Sequence, residues 1–168
     1  GSEMCIRDSP KTLGTVFILF EKQLTPVEKQ NAITVMENAK FGMTGQNKVW
    51  LAGNVMMRAL LQNDYELVKM ARDTIASEIV TGGTEGIKDD WCFHQHGAQQ
   101  QFGNYGLSFV SGMSFFSGLF SGTSLAFDDK QLSILSTLID KGYRWVIWKG
   151  MMDVNALGRQ LFLTLIHI

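Results

Sequence analysis

Apolar side chains recur at helical spacing over most of the chain. From Lys11 to Gln23, the residues Leu13, Val16, Phe17 and Phe20, with Leu24 beyond, share one face and predict an amphipathic helix. Thr25-Pro26-Val27-Glu28 marks the next helix start: Thr caps, Pro takes the first turn, and Glu28 reaches back as a capping box. That helix is expected to run to about Ala39, before Phe41-Gly42-Met43-Thr44-Gly45 breaks it. Asn47 to Gln62 predicts a third helix with Val49, Ala52, Gly53, Met56, Ala59 and Leu60 inward. Asn63-Asp64 caps a fourth to about Val80, with Leu67, Met70, Ala71, Thr74, Ile75 and Ile79 inward, closed by Thr81-Gly82-Gly83-Thr84.

The second half reads differently. Asn104 to Phe120 is apolar almost all round, with small residues at Ser108, Ser111, Gly112, Ser117 and Gly118, which predicts a helix buried on most sides. After the turn at Ser121 to Ser124, Asp128 and Gln131 repeat the capping-box pattern. The helix beyond carries Leu132, Leu135, Leu138, Ile139, Val146 and Ile147, loosens near Gly150, and gives way to a loop from Met151 to Phe162. The pattern thus predicts about six helices, no strand, and short connections that set neighbours antiparallel.

One stretch, Asp89 to Gly106, follows neither the helical nor the strand period. It holds two His, three consecutive Gln, an Asn, a Tyr, a Trp and two Asp. Long irregular segments within compact domains are usually functional or disordered, and four aromatics here argue for order. An ordered active-site loop running into a helix at about Asn104 is the expectation.

Composition narrows the function. A net charge of −1 without a long basic run is unlike a protein that grips nucleic acid through its phosphates. The most apolar run, Tyr105 to Phe120, is 16 residues and rich in Ser and Gly, short of a membrane span. Cys5 and Cys92 make no disulfide framework. Both ends look foreign: Gly1-Ser2-Glu3-Met4 resembles a cloning scar, and Cys5 to Ser9 and Leu163 to Ile168 resemble translated adapter sequence at the ends of metagenomic fragments. The domain reading is a non-native segment at 1–9, a helical domain over 10–162 and a non-native tail at 163–168, together a piece of a longer protein.

Several residues could carry chemistry, each beside a plainer role. His94 and His96 could be metal ligands, with Asp89 or Asp90 as a third, or simply structural. Tyr105 could be an acid or base, or a core residue with a bonded hydroxyl. Asn47 could be a donor to a carboxylate, or a helix N-cap. Arg159, in the irregular Met152 to Arg159 segment, could bind an anion or be merely solvated.

In order, Thr44-Gly45-Gln46-Asn47-Lys48, then Asp90, Gln95-His96-Gly97, Gln99, Gln101 and Tyr105-Gly106, then Met152-Asp153, Asn155 and Gly158-Arg159 resemble the catalytic domain of polysaccharide lyase family eight. These are the chondroitin AC, hyaluronate and xanthan lyases, and the resemblance covers roughly residues 12 to 162. It implies an all-α fold, an incomplete (α/α) toroid built of antiparallel helical hairpins. It implies β-elimination at a uronic acid of an acidic polysaccharide. Asn47 would neutralise the carboxylate, His96 would hold the sugar and share charge, Tyr105 would act as base and then acid, and Arg159 would bind substrate. Trp91, Gln95, Gln99 and Asn155 would line the sugar site. No metal or other cofactor, no nucleic acid and no membrane enters this scheme. The location implied is secreted or periplasmic.

Two departures stand out. The family pattern places a second Arg four residues after the first, where this chain has Leu163. A family glutamate, a C-terminal β-sheet domain and an upstream Trp-rich segment are missing too. Such a chain can keep the fold and core residues yet be inactive by itself. The competing readings are a non-catalytic carbohydrate-binding helical domain, with Trp91, Phe93 and Phe102 stacking on sugar, and a His-based metal hydrolase.

Overall fold

The computed structural model describes residues 2–158, with side chains from residue 10 onward. The described chain is mostly α-helical, as its pattern predicts, and divides into two compact units. The first comprises the chain to Met43 together with Asn47–Ile75; the second comprises Thr44–Gln46 and the chain from Ala76.

In the first unit, α1 (Ser2–Leu19) is followed by a single 3-10 turn (Glu21–Gln23), α2 (Pro26–Met36) and all but the end residues of α3 (Gly45–Gln62) and α4 (Tyr65–Ala76). Helix α1 begins at Ser2 and carries Pro10 inside it, so it starts well before the predicted Lys11. The capping box at Thr25 is formed in full: Thr25 Oγ1 accepts from the Glu28 N–H, and Glu28 Oε2 accepts the Thr25 N–H at 2.8 Å. Leu67 N–H donates to Asp64 Oδ1 at 3.0 Å, which caps α4 as expected.

Ile33, Met36 and Leu61 form a buried apolar cluster, with Phe17, Ile18 and Met57 packed on it. Each such side chain contributes about 1.5–3 kcal/mol relative to exposure. Gly14 permits the close approach of α1, since a Cβ there would lie 2.7 Å from Met36 Cε. Arg58 donates to the Ala39 carbonyl at 3.2 Å, satisfying backbone beyond the end of α2. Several residues of the predicted apolar faces are outward instead: Val16 and Phe20 are exposed, and Leu60 and Met70 are 45% and 56% exposed, while Leu61 and Val68 are buried.

In the second unit, β1 (Gly86–Ile87) pairs antiparallel with β2 (Phe93–His94). A π-turn (Phe102–Gly106) leads into α5 (Leu107–Phe120), followed by α6 (Asp129–Thr137) and a second π-turn (Leu138–Tyr143). The short turn α7 (Arg144–Val146) precedes a hairpin of β3 (Ile147–Trp148) and β4 (Met151–Met152) and a 3-10 turn (Val154–Ala156). The predicted absence of strands is therefore corrected by two minimal hairpins, and the predicted loop from Met151 holds one strand of the second. The Asp128–Gln131 capping box is present, with Gln131 N–H donating to Asp128 Oδ1 at 2.8 Å.

Helix α5 is not buried on most sides. Only Phe109, Met113 and Phe120 are buried on it, and Phe115 is 63% exposed. Its inner face meets the loop, with the Phe93 and Phe109 rings 5.0 Å apart. Phe102 and Tyr143 pack edge to face at the same spacing, and the Tyr143 hydroxyl donates to the Phe102 carbonyl at 3.1 Å. Burial raises the Tyr143 pKa, so this hydroxyl stays protonated and acts as a strut.

Candidate functional site

The irregular stretch is ordered, and backbone bonds show why. Lys88 N–H donates to the Cys92 carbonyl at 2.9 Å, Gln95 N–H to Gln99 at 3.0 Å and Gln101 N–H to Phe93 at 2.8 Å. Ile87 and Phe93 are fully buried beneath it. The loop turns sharply twice through left-handed conformations, at Trp91 (φ 66°) and at His96 (φ 57°), the latter followed by Gly97 (φ 76°). Non-glycine residues held there cost about 1–3 kcal/mol each and persist only where surroundings enforce them.

The loop then enters the π-turn, where Gly106 N–H donates five residues back to the Gln101 carbonyl at 2.9 Å. Single π-turns of this kind occur often at functional sites. Tyr105 therefore stands in a π-turn ahead of α5, not in the first α-helical turn as the sequence suggests. Its hydroxyl lies 3.0 Å from His96 Nε2, and the two rings meet edge on with centroids 5.0 Å apart. Of the four residues expected to do chemistry, these two are brought together within one unit.

Glycines fix the surroundings of the pair. A Cβ at Gly103 would lie 2.6 Å from Leu157 Cα and 2.8 Å from Met152 Sδ, so the π-turn rests directly on the Leu157 backbone and the Met152 side chain. At Gly158 (φ 70°) a Cβ would lie 2.7 Å from Gln101 Oε1. Arg159 falls outside the described residues; its predecessor is thus seated on Gln101, at the start of the π-turn. Asn47 is the third residue of α3, a half-buried position inside the first turn, so its plainer role as N-cap does not hold.

The other predicted sugar contacts divide. Trp91 is half-buried; Gln99 and Asn155 are exposed. Gln95 is different: it is 1% exposed, and its amide is spent on protein. Its Oε1 accepts the Gln46 N–H at 2.9 Å, while Nε2 donates to the Thr44 carbonyl at 3.3 Å and to Glu85. It supports the loop from within and leaves no free group for a sugar. Phe93 and Phe102 are also buried, so the stacking face of the carbohydrate-binding alternative loses two of its three aromatics.

Glu85 is the residue that sequence reading missed. It directly follows the Thr81-Gly82-Gly83-Thr84 turn and matches no motif. Its carboxylate accepts the Thr44 hydroxyl at 2.6 Å and the Gly97 N–H at 2.8 Å. Partial burial would raise its pKa, but the Thr44 and Gly97 bonds and the charge of His96 outweigh this and hold it below the usual range. Asp90 is likewise held low, chiefly by the Cys92 N–H it accepts. Cys92 itself is pushed up by burial and by Asp90, which leaves a thiol rather than a thiolate two residues before His94. Among the described residues, no three His, Cys, Asp or Glu side chains gather as a metal-binding set, and no helix is long and apolar enough to cross a membrane.

Residues 8–161 match the model of polysaccharide lyase family 8, N-terminal α-helical domain. The chain is 29% identical over 156 residues to chondroitinase-AC of Pedobacter heparinus, covering 90% of this chain and 22% of that protein. It is 25% identical over 158 residues to xanthan lyase of Bacillus sp. strain GL1, covering 90% and 17%. Its structure resembles that of chondroitinase AC lyase, solved with oligosaccharides, with a TM-score of 0.87 at 27% identity over 96% of this chain and 25% of that one. The fold also matches a Paenibacillus xanthan lyase, with a TM-score of 0.81 at 23% identity over 90% of this chain and 15% of that one. The chain spans about a fifth of the curated relatives it matches. With the match to the family model running over nearly its whole length, the chain belongs to polysaccharide lyase family 8, as part of the N-terminal α-helical domain.

Proposed function

We propose that this chain supplies the acid–base part of a lyase that cleaves a uronic-acid-containing polysaccharide, of chondroitin or hyaluronan type, by β-elimination. The observation that carries the reading is the His96–Tyr105 pair, 3.0 Å apart on a strained loop and a π-turn, in a member of this family. The C5 proton of a uronate is weakly acidic, and its removal drives negative charge onto the adjacent carboxylate. Tyr105 as phenolate takes that proton. A proton on His96 Nε2, donated to the phenolate oxygen, would stabilise the base before it acts. The C5 electron pair forms the C4–C5 double bond, the C4–oxygen bond breaks, and the phenol returns its proton to the leaving oxygen. One group close to both atoms suffices for both transfers.

The developing carboxylate charge needs a donor that neutralises it, the role given to Asn47. Arg159 binds the acidic sugar. Trp91, Gln99 and Asn155 offer sugar contacts, and Gln95 acts through the loop it supports. No cofactor enters any step. A polymer of this kind does not cross membranes, which favours work outside the cytoplasm. The remainder of the longer lyase, including its β-sheet domain, is the expected partner of this chain.

Tyr105→Phe tests the reading in a lyase carrying this chain. It removes only the hydroxyl and keeps the ring. Positioned proton transfer contributes about 10²–10⁴-fold, and two transfers depend on this oxygen, so the rate should fall at or beyond the top of that range. Unsaturated uronate is followed by its ultraviolet absorbance, and oligosaccharide affinity by calorimetry. Retention of more than about a tenth of the rate, less than the low end of that range, would remove Tyr105 as the base and leave His96 as the candidate.

A further inference from the structure

Within the second unit, three donors converge on one carboxylate that touches no reacting atom in the scheme above. Glu85 Oε2 accepts the Thr44 hydroxyl at 2.6 Å and the Gln95 amide. Glu85 Oε1 accepts the Gly97 N–H at 2.8 Å. Gln95 and Gly97 are the two neighbours of His96, so both sides of the left-handed His96 turn are tied to the same side chain. Gln95 also bonds Gln46 N–H and the Thr44 carbonyl, and Glu78 accepts the Gly45 N–H at 2.8 Å. Thr44, Gly45 and Gln46 are the three residues directly before Asn47 in the chain.

Resting on the lyase reading, we propose that Glu85 is a positioning residue: it fixes the His96 turn that keeps Nε2 on Tyr105, and it anchors the segment from which Asn47 follows. An ionised carboxylate suits this place because it only accepts, with about four lone-pair sites for three donors. A glutamine there would offer one acceptor oxygen and turn an NH2 group toward donors. The low pKa of Glu85 agrees with an ionised acceptor near neutral pH. Its oxygens are occupied by protein groups, so it acts through His96 and not on the sugar. Tight geometry around the reacting groups is what such a support provides.

Glu85→Gln and Glu85→Asp are compared with the wild-type 168-residue chain by nuclear magnetic resonance. In Glu85→Gln, the cross-relaxation between the His96 and Tyr105 rings should weaken markedly. Exchange of the Gly97 amide proton should accelerate at least about tenfold, as expected for losing a bond to a charged acceptor, and that of Gln46, which is bonded to the Gln95 amide that Glu85 holds, should accelerate by less. Glu85→Asp keeps the charge but shortens the arm by one methylene, so it should lose one of the Thr44 and Gly97 bonds and fall between the two. Should Glu85→Gln not fold, Glu85→Asp decides alone: an unchanged ring contact and unchanged Gly97 exchange overturn the proposal.

In a lyase carrying the chain, Glu85→Gln should lower kcat at least about tenfold by the same loss, with KM within about threefold. A change confined to KM would make Glu85 a binding residue and overturn the positioning role. Tyr105→Phe, run alongside, separates the two ideas. Full rate there removes the lyase assignment even when the Glu85 resonance data come out as expected. A lost rate there with unchanged ring contacts in Glu85→Gln removes only the Glu85 role.

Discussion

At the scale of single residues, the His96–Tyr105 pair is held by groups whose charge depends on pH. Glu85 has its folded pKa below its ordinary value of 4.5, so its bonds stabilise the fold fully above that value. The contribution is lost as pH falls through the lower, folded value. The expected outcome is a melting temperature that drops between about pH 5 and 3, with a shallower drop in Glu85→Gln; parallel drops in the two proteins would contradict it. Asp90 and Glu28 are shifted the same way, so the slope should shrink without vanishing. This residue layer was only half visible in the sequence. His96 and Tyr105 were found through an ordered family set, because their nine-residue spacing is meaningful only once a π-turn sets it. Glu85 and Glu78 carried no signal: their importance comes from donors 12 and 33 residues away, Gly97 and Gly45. Gln95 was given to the sugar site by resemblance; its amide is buried and bonded within the protein, and a buried amide and a sugar-facing amide look alike in sequence.

At the scale of elements, local chemistry was legible and packing was not. Both capping boxes form where Thr25–Glu28 and Asp128–Gln131 predicted them, because a cap is decided within four residues. The hairpins were missed because two-residue strands leave no alternation to read. Helix α5 was expected to be buried on most sides, because apolar composition cannot say how many faces find neighbours. The same contrast predicts mutational costs. Thr25→Ala should cost about 1 kcal/mol, the usual loss for a cap, and lower the melting temperature by a few degrees. Gly103→Ala should cost more, in the range of about 1–3 kcal/mol or above, because its Cβ would strike the Leu157 backbone at 2.6 Å and neither element can yield cheaply. Thermal melts of the two variants side by side give the order; a larger loss in Thr25→Ala would mean that the π-turn is less tightly seated than its geometry shows.

At the scale of the whole chain, charge bears on how the proposed acidic polymer would be met. The chain carries 15 Lys and Arg against 16 Asp and Glu, a net charge of −1, so no overall positive field draws a polyanion in. Recognition of the proposed polysaccharide would then rest on few local groups, with Arg159 the cation proposed for it and Asn47, Gln99 and Asn155 as proposed neutral donors. Each cation that pairs with the polymer releases about one counterion, so affinity should fall with salt with a logarithmic slope near −1 to −2. Between about 50 and 200 mM salt that amounts to roughly a 4- to 16-fold weakening, against about 10³–10⁵ for a protein gripping six to ten phosphates. Calorimetric titration of this chain with a chondroitin oligosaccharide at several salt concentrations measures the slope. Removing the Arg159 charge by Arg159→Gln should reduce it by about one. A loss above about a hundredfold over the same salt range would reveal a concentrated basic surface hidden by the near-neutral total. Binding would then be general adhesion to polyanions, and the few local groups proposed above would not set specificity for the uronate.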